Sequence, residues 1–258
     1  MGKPKIILFD FDGVIVDGIH EYWYSSVKAC KESLNSHEIY NNRDFELSET
    51  FVEMRPWVKY GWEMVLITHQ IIKKNNPLNN NNKADFIKNY SLSCEKILKQ
   101  NSWKSDDLQK YLDKARESQI SSNFEQWINL YRPFKEVISF IKKAQECGLR
   151  IGIITTKKKK FTSKILQRFD IFPELIFGYE SGTKIEILNN LMNKYEIRGF
   201  IEDRKKTLMD VVANEDTRTL PCFLADWGYL KNTDSVNLPR KIRLIKLKDL
   251  KDLLANLV

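Results

Sequence analysis

The sequence predicts an α/β protein, with a three-layer, Rossmann-like core built on a parallel sheet and an all-helical domain inserted into it. Three observations predict this. A short, continuous apolar run, Ile6-Ile7-Leu8-Phe9, leads into Asp10-Phe11-Asp12-Gly13. Between about residues 18 and 131 no convincing strand pattern occurs. From Pro133 onward, short apolar runs alternate with helix-length segments. That alternation implies right-handed βαβ crossovers and hence a parallel sheet.

The first run is β-branched and lacks alternation, as a strand buried on both faces does. Asp10 and Asp12 follow at its carboxyl end, where open α/β sheets bind ligands. Positions i and i+2 of an extended segment point to one side, so both carboxylates can aim at one site. Gly13 allows a tight turn that a Cβ would obstruct. Taken alone, Asp12-Gly13 also fits a hairpin turn between two apolar strands.

In the insert, Ile19, Tyr22, Trp23, Val27, Cys30 and Leu34 form a helical stripe. Residues 35–50 are polar and read as irregular. Residues 57–72 read as a helix, with Pro56 tolerated just inside its start. The Asn-rich tract 74–82, which contains Pro77, reads as a loop. Helical patterns resume at Ile87, Tyr90, Cys94 and Ile97, at Leu108, Tyr111, Leu112 and Ala115, and at Phe124, Trp127 and Ile128. The alternating region starts with a helix carrying Val137, Ile138, Ile141 and Ala144 and closed by Gly148. Strands are expected at 149–154, 175–177, 200–201, 222–225 and 242–245. Helices are expected at 161–169, 185–195 and 205–214, with a terminal helix from Lys248. The resulting layout is a core of residues 1–17 plus 132–258 and a helical domain of residues 18–131.

The bulk properties exclude several classes. The chain has 258 residues, 42% apolar and 29% charged, an ordinary balance for a soluble globular protein. It has no apolar run long enough to span a bilayer. Lys3 and Lys5 lead straight into a strand, so no signal-peptide core is expected, and the location expected is cytoplasmic. The four cysteines form no close pair and the three histidines are scattered, so neither a disulfide framework nor a zinc site is indicated. The net charge of +8 and pI of about 9.1 would suit a polyanion partner. The lysines are spread over the whole chain, however, as a Lys/Asn/Ile-rich composition would spread them, so nucleic acid is not the expected partner.

Three more strand ends carry polar groups. Residues 151–154 end in Thr155-Thr156-Lys157, where hydroxyls and backbone N–H groups could hold an anionic oxygen or cap a helix. The loop Gly178-Tyr179-Glu180-Ser181-Gly182-Thr183-Lys184 puts a lysine at a helix start, where the dipole disfavours a cation. Neutralising carboxylate and phosphate would explain it; a solvated lysine is the alternative. Gly199-Phe200-Ile201-Glu202-Asp203-Arg204 ends in paired carboxylates, which suit Mg2+ better than a simple helix cap.

In this order the elements resemble the haloacid dehalogenase (HAD) superfamily, on the side related to phosphoglycolate phosphatases and β-phosphoglucomutase. The resemblance covers residues 4–17 and 132–258. Asp10-Phe11-Asp12-Gly13-Val14 resembles the first motif, Thr155 the second-motif hydroxyl, Lys184 the third-motif lysine and Glu202-Asp203 the acidic fourth motif. Trp227-Gly228-Tyr229 is similar to phosphoglycolate-phosphatase-like members, and an insert after the first motif resembles a C1 cap. Glu21-Tyr22-Trp23, Arg55-Pro56-Trp57 and Gly61-Trp62-Glu63 resemble uncharacterised cyanobacterial HAD-like hydrolases. Thr207 departs from the pattern, since many relatives carry a second acid there, and the insert is longer than many C1 caps.

The resemblance implies an Mg2+-dependent phosphatase acting on a small phosphorylated metabolite, as a monomer or homodimer. Asp10 would be the nucleophile and Asp12 the acid/base. Thr155 and Lys184 would hold the phosphoryl oxygens. The metal would be held by Asp10, the Asp12 carbonyl and Asp203, with Glu202 binding directly or through water. The helical cap would select substrate. There Trp57, Trp62, Tyr60 and Arg55 form the densest aromatic and basic cluster, either a substrate platform or the cap's own packing. Lys157 to Lys160 would draw anions towards the site or form a solvated helix face. A sugar-phosphate phosphomutase would need the same core, and a non-catalytic regulatory or polyanion-binding protein is the reading from another class.

Overall fold

The computed structural model describes residues 2–34, 45–73, 78 and 82–255. The irregular segment expected at 35–50 is therefore described only from 45, and the Asn-rich loop only at its positions 78 and 82. The chain divides into two compact units, residues 1–17 with 132–258, and residues 18–131.

The first unit opens with β1 (Lys5–Phe9) and β2 (Val16–Asp17). The second unit follows with α1 (Ile19–Ser33), α2 (Glu49–Met54), α3 (Gly61–Ile72), α4 (Lys83–Lys88), α5 (Tyr90–Gln100), α6 (Ser105–Ser122) and α7 (Phe124–Ile128). The first unit then resumes with β3 (Arg132–Pro133), α8 (Lys135–Glu146), β4 (Arg150–Ile154), α9 (Lys159–Arg168), β5 (Leu175–Phe177) and α10 (Lys184–Lys194). It ends with β6 (Glu196–Glu202), α11 (Lys205–Ala213), β7 (Cys222–Ala225), β8 (Ile242–Ile245) and α12 (Leu250–Ala255).

The core sheet has six strands in the order β5-β4-β1-β6-β7-β8, all parallel. This is the doubly wound arrangement, and the strand order reverses between β1 and β6. The crevice beyond the carboxyl ends of those two strands is where such sheets bind ligands. Ile6, Ile7, Leu8 and Phe9 are fully buried. Ile6 and Leu8 pack with Leu188, Leu191, Phe200 and Leu208, whereas Phe9 meets Phe140 edge-on at 6.4 Å. Each such side chain contributes about 1.5–3 kcal/mol by leaving water. Gly148 ends α8 with φ +81°, as a left-handed terminal residue does.

A two-stranded antiparallel ribbon, β2 with β3, pairs Val16 with Pro133 and Asp17 with Arg132. It joins the points where the chain leaves and re-enters the first unit. Two residues per strand carry no readable alternation, so the sequence gives no sign of it.

Among its described residues the second unit is all helical. Its centre is a polar network that the apolar pattern hides. Arg116 grips Glu21 with two bonds of 2.8 and 3.0 Å. Ser25 and Trp127 Nε1 also donate to Glu21, and Gln119 donates to Ser25. The helix expected over 57–72 is interrupted. A 3-10 turn covers Arg55–Trp57, and α3 starts only at Gly61. Tyr60 is extended there, and the Glu63 carboxylate reaches back to accept N–H bonds from Lys59 and Tyr60 and so caps the helix start. Arg55 is buried, donates to the Val58 carbonyl and lies over the Tyr22 ring. Trp57 and Trp62 are half-buried and Tyr60 is exposed. The start of α2 inside the expected irregular stretch follows from Ser48, whose hydroxyl accepts the Phe51 N–H.

Removing one partner of a buried ion pair strands the other charge. Arg116→Met should therefore cost about 3–5 kcal/mol in urea unfolding. Pairing it with Glu21→Gln should recover part of that loss. A cost below about 1 kcal/mol would show that the network does not hold the unit together.

Candidate active site

The site is built at the carboxyl ends of β1, β4 and β6. The Asp10 N–H extends the β1–β6 ladder by donating to the Ile201 carbonyl at 2.8 Å. The chain then coils tightly, with the Phe11 carbonyl accepting N–H bonds from Val14, Ile15 and Val16. Gly13 occupies φ +87° at the tip. This is not a hairpin between two paired strands, because β1 lies in the six-stranded sheet and β2 pairs with β3. A Cβ on Gly13 would lie 2.0 Å from Asp203 Oδ2, and one on Gly228 would lie 2.2 Å from Asp203 Cβ. The two glycines let the Asp203 carboxylate approach the first loop.

Residues 227–229 tie this loop to the end of β6. Tyr229 N–H donates to Asp203 Oδ2 at 2.8 Å, and its hydroxyl donates to Asp17 at 2.6 Å. Trp227 Nε1 donates to the Val14 carbonyl at 3.1 Å. The sequence offers Trp227-Gly228-Tyr229 only as a likeness to relatives; its use as a clamp on Asp203 appears only in three dimensions.

Lys184 is the first residue of α10, whose start is stabilised by a Thr183–Glu186 capping box. The lysine thus serves no cap. Its Nζ lies 2.7 Å from Asp10 Oδ1 and 2.7 Å from Glu202 Oε2. The other Glu202 oxygen accepts the Arg204 N–H at 3.1 Å. Thr155 follows β4 and is buried, and its hydroxyl accepts the Lys157 N–H at 3.1 Å. It does not cap α9, whose preceding residue is Lys158. The lysine run divides: Lys159 and Lys160 are exposed, but Lys157 is 4% exposed and its Nζ lies 3.5 Å from Asp12 Oδ1. Lys157 had two readings in the sequence, anion attraction or a solvated helix face, and its burial removes the second. The only signal for this was its place two residues after Thr155, inside the strand-to-helix turn.

Asp10, Asp12, Glu202 and Asp203 are all buried. Asp10, Glu202 and Asp203 each offer an oxygen within 4.8 Å of the others. Burial first, and then the charge of Glu202, push Asp10 up to about 7, against the opposing pull of Lys184. Burial also raises Glu202. The Lys184 ammonium is held above the usual lysine range by its two carboxylates, which outweigh its own desolvation. A cluster of three buried carboxylates, all oxygen donors, fits a hard divalent cation such as Mg2+. Asp12 contributes no carboxylate oxygen to this group; what it could offer a cation is its backbone carbonyl.

Residues 4–209 match the model of a hydrolase family, the haloacid dehalogenase-like hydrolases. No curated protein matches the chain. Solved structures share the fold at low identity. A predicted phosphoglycolate phosphatase from Haemophilus somnus 129pt has a TM-score of 0.60 at 17% identity, over 98% of this chain and 99% of that one. A predicted phosphatase from Clostridium acetobutylicum has a TM-score of 0.58 at 14% identity, over 99% and 100%. A haloacid dehalogenase-like family hydrolase from Streptococcus pneumoniae has a TM-score of 0.54 at 16% identity, over the whole of both chains. With the family match spanning most of the chain and this acidic crevice at its switch point, the protein belongs to the haloacid dehalogenase-like hydrolase family.

Proposed function

We propose that the protein is an Mg2+-dependent phosphatase that hydrolyses a small-metabolite phosphomonoester through an aspartyl-phosphate, of the phosphoglycolate phosphatase and β-phosphoglucomutase type. The observation that carries this reading is the setting of Asp10. It is a buried carboxylate held by Lys184 at 2.7 Å, beside the separate acids Glu202 and Asp203, with Asp12 two residues on.

An Asp10 oxygen attacks phosphorus, and the P–O ester bond breaks with its electron pair on the leaving oxygen. Asp12 supplies the proton that this oxygen takes up. Asp12 then removes a proton from water, which displaces Asp10 and releases inorganic phosphate. Lys184 and Thr155 hold the transferring phosphoryl oxygens, where positioning and charge compensation do most of the work. Asp10, Asp203, the Asp12 carbonyl and Glu202 would hold Mg2+, whose chemistry is to offset the repulsion between anionic nucleophile and phosphate. Both Glu202 oxygens already accept protein hydrogen bonds, so its first duty is to anchor Lys184. The helical unit of residues 18–131 would act as a C1-type cap that selects the substrate.

Asp10→Asn should lower turnover of a generic phosphomonoester by about a thousandfold or more, with an unchanged circular dichroism spectrum. Wild-type rates in the variant would remove Asp10 as nucleophile. Chelation of divalent cations should abolish turnover and added Mg2+ should restore it; full activity in excess chelator would remove the metal from the reading.

The setting of Asp10 also predicts a pH effect. Its folded pKa of about 7 lies above that of the unfolded carboxyl. The unfolded chain therefore loses this proton first, and the fold loses stability from Asp10 as pH rises through that window. Without divalent cation, the melting-temperature advantage of Asp10→Asn over wild type should grow from about pH 4 to about pH 7 and then level off. Saturating Mg2+ should narrow it. An advantage that does not change with pH would contradict the assignment.

A further inference from the structure

The two acids of the first motif are met by two different lysines, one half-buried and one buried. Lys184 is fixed between Asp10 and Glu202 at 2.7 Å from each. Lys157 reaches Asp12 Oδ1 at 3.5 Å, with its side chain 2% exposed. A lysine on a solvated helix face gives up neither hydration nor rotamer freedom. Lys157 gives up both. Burying an ammonium is unfavourable unless a countercharge faces it, and fixing a lysine side chain gives up rotamer entropy as well. Lys159 and Lys160, two and three residues on, remain exposed, so local composition does not explain the burial.

The backbone of Lys157 is fixed as well. Its N–H donates to Thr155 Oγ1 at 3.1 Å, and its carbonyl accepts the Tyr179 N–H at 3.3 Å. Gly178 permits this approach, since a Cβ there would lie 2.7 Å from the Lys157 carbonyl oxygen. The Asp12 backbone is set by the coil at Phe11, in which Gly13 N–H donates to the Val16 carbonyl at 2.8 Å. The direction of its carboxylate is set by the side-chain torsions, not by the backbone. A charge fixed on one side selects one of those orientations.

We propose that Lys157 is a positioning residue for Asp12, holding its carboxylate aimed at the leaving ester oxygen, a duty separate from the phosphoryl contacts of Thr155 and Lys184. This rests on the phosphatase reading. In the step concerned, the proton passes from Asp12 to the leaving oxygen as the P–O bond breaks, and Lys157 keeps all its protons. A misaimed Asp12 harms a substrate in proportion to its leaving group's need for that proton. A p-nitrophenolate departs largely without one; a phenolate needs it more.

The test compares wild type, Lys157→Met and Lys157→Arg on a series of substituted phenyl phosphates, from p-nitrophenyl to phenyl, with Mg2+ present. The quantity read is kcat/KM, which reports the steps up to the aspartyl-phosphate. Lys157→Met should lower kcat/KM for phenyl phosphate about tenfold further than for p-nitrophenyl phosphate, and Lys157→Arg should restore part of that selectivity. In an Asp12→Asn background, Lys157→Met should cost nothing more. An equal loss across the series, or a further loss in that background, would make Lys157 a phosphoryl-binding or purely structural residue and overturn the proposal alone. If Lys157→Met does not fold by circular dichroism, Lys157→Gln carries the same comparison. No wild-type turnover anywhere in the series, or turnover that survives Asp10→Asn, would overturn the phosphatase reading and this proposal with it.

Discussion

The Lys184 ammonium, shared between Asp10 and Glu202, is the contact on which the rest of the core's active end depends. Two buried carboxylates on adjacent strands repel each other and both lose hydration. Without a cation between them, the pairing of β1 with β6 would carry that cost at its carboxyl end. The lysine offsets part of it, and it comes from a third element, the start of α10. Fold and site are therefore one problem: the helix must begin where its first residue can reach both strands. The capping box of Thr183 and Glu186 fixes that beginning.

The acidic cluster is also held from the other side. Asp203 is kept in place by Tyr229 N–H, and the two glycines at 13 and 228 leave room for its carboxylate. Charge is thus balanced by lysines on one flank and positioned by backbone on the other. Backbone donors cannot swing away, so the residual freedom of the site lies in the lysine and carboxylate side chains.

What could be read from the chain and what could not divides along physical lines. Buried parallel strands announce themselves as short continuous apolar runs, so the ends carrying Asp10, Thr155 and Glu202-Asp203 were legible, as was an insert that is helical among its described residues. Lys184 was legible as an anomaly, a cation at a helix start. Lys157 was hidden, because four consecutive lysines look alike until a turn buries the first of them. The clamp of Tyr229 on Asp203 joins residues 26 apart through a backbone group, which no side-chain pattern records. In the helical unit, apolar spacing located α1, α3, α5, α6 and α7 but not α2, which starts inside the stretch read as irregular. It missed the break before Gly61, which depends on Glu63 reaching back to cap it. It also missed the Glu21–Arg116 pair, because a buried charge is invisible until its partner is known.

The ribbon of Asp17 against Arg132 has a consequence for how such a chain assembles. β1 must find β4 across more than a hundred residues, Ile7 opposite Ile151, and long-range pairing of this kind slows folding. The entropy of closing a loop grows only with the logarithm of its length, about 0.6 kcal/mol per doubling. A ribbon that forms first bears that closing cost itself, and the pairing of β1 with β4 does not incur it again. To the strands of the core, the intervening 114 residues then count as little more than a hairpin turn. Evolutionary lengthening or exchange of the insert would leave the search for the sheet almost unchanged.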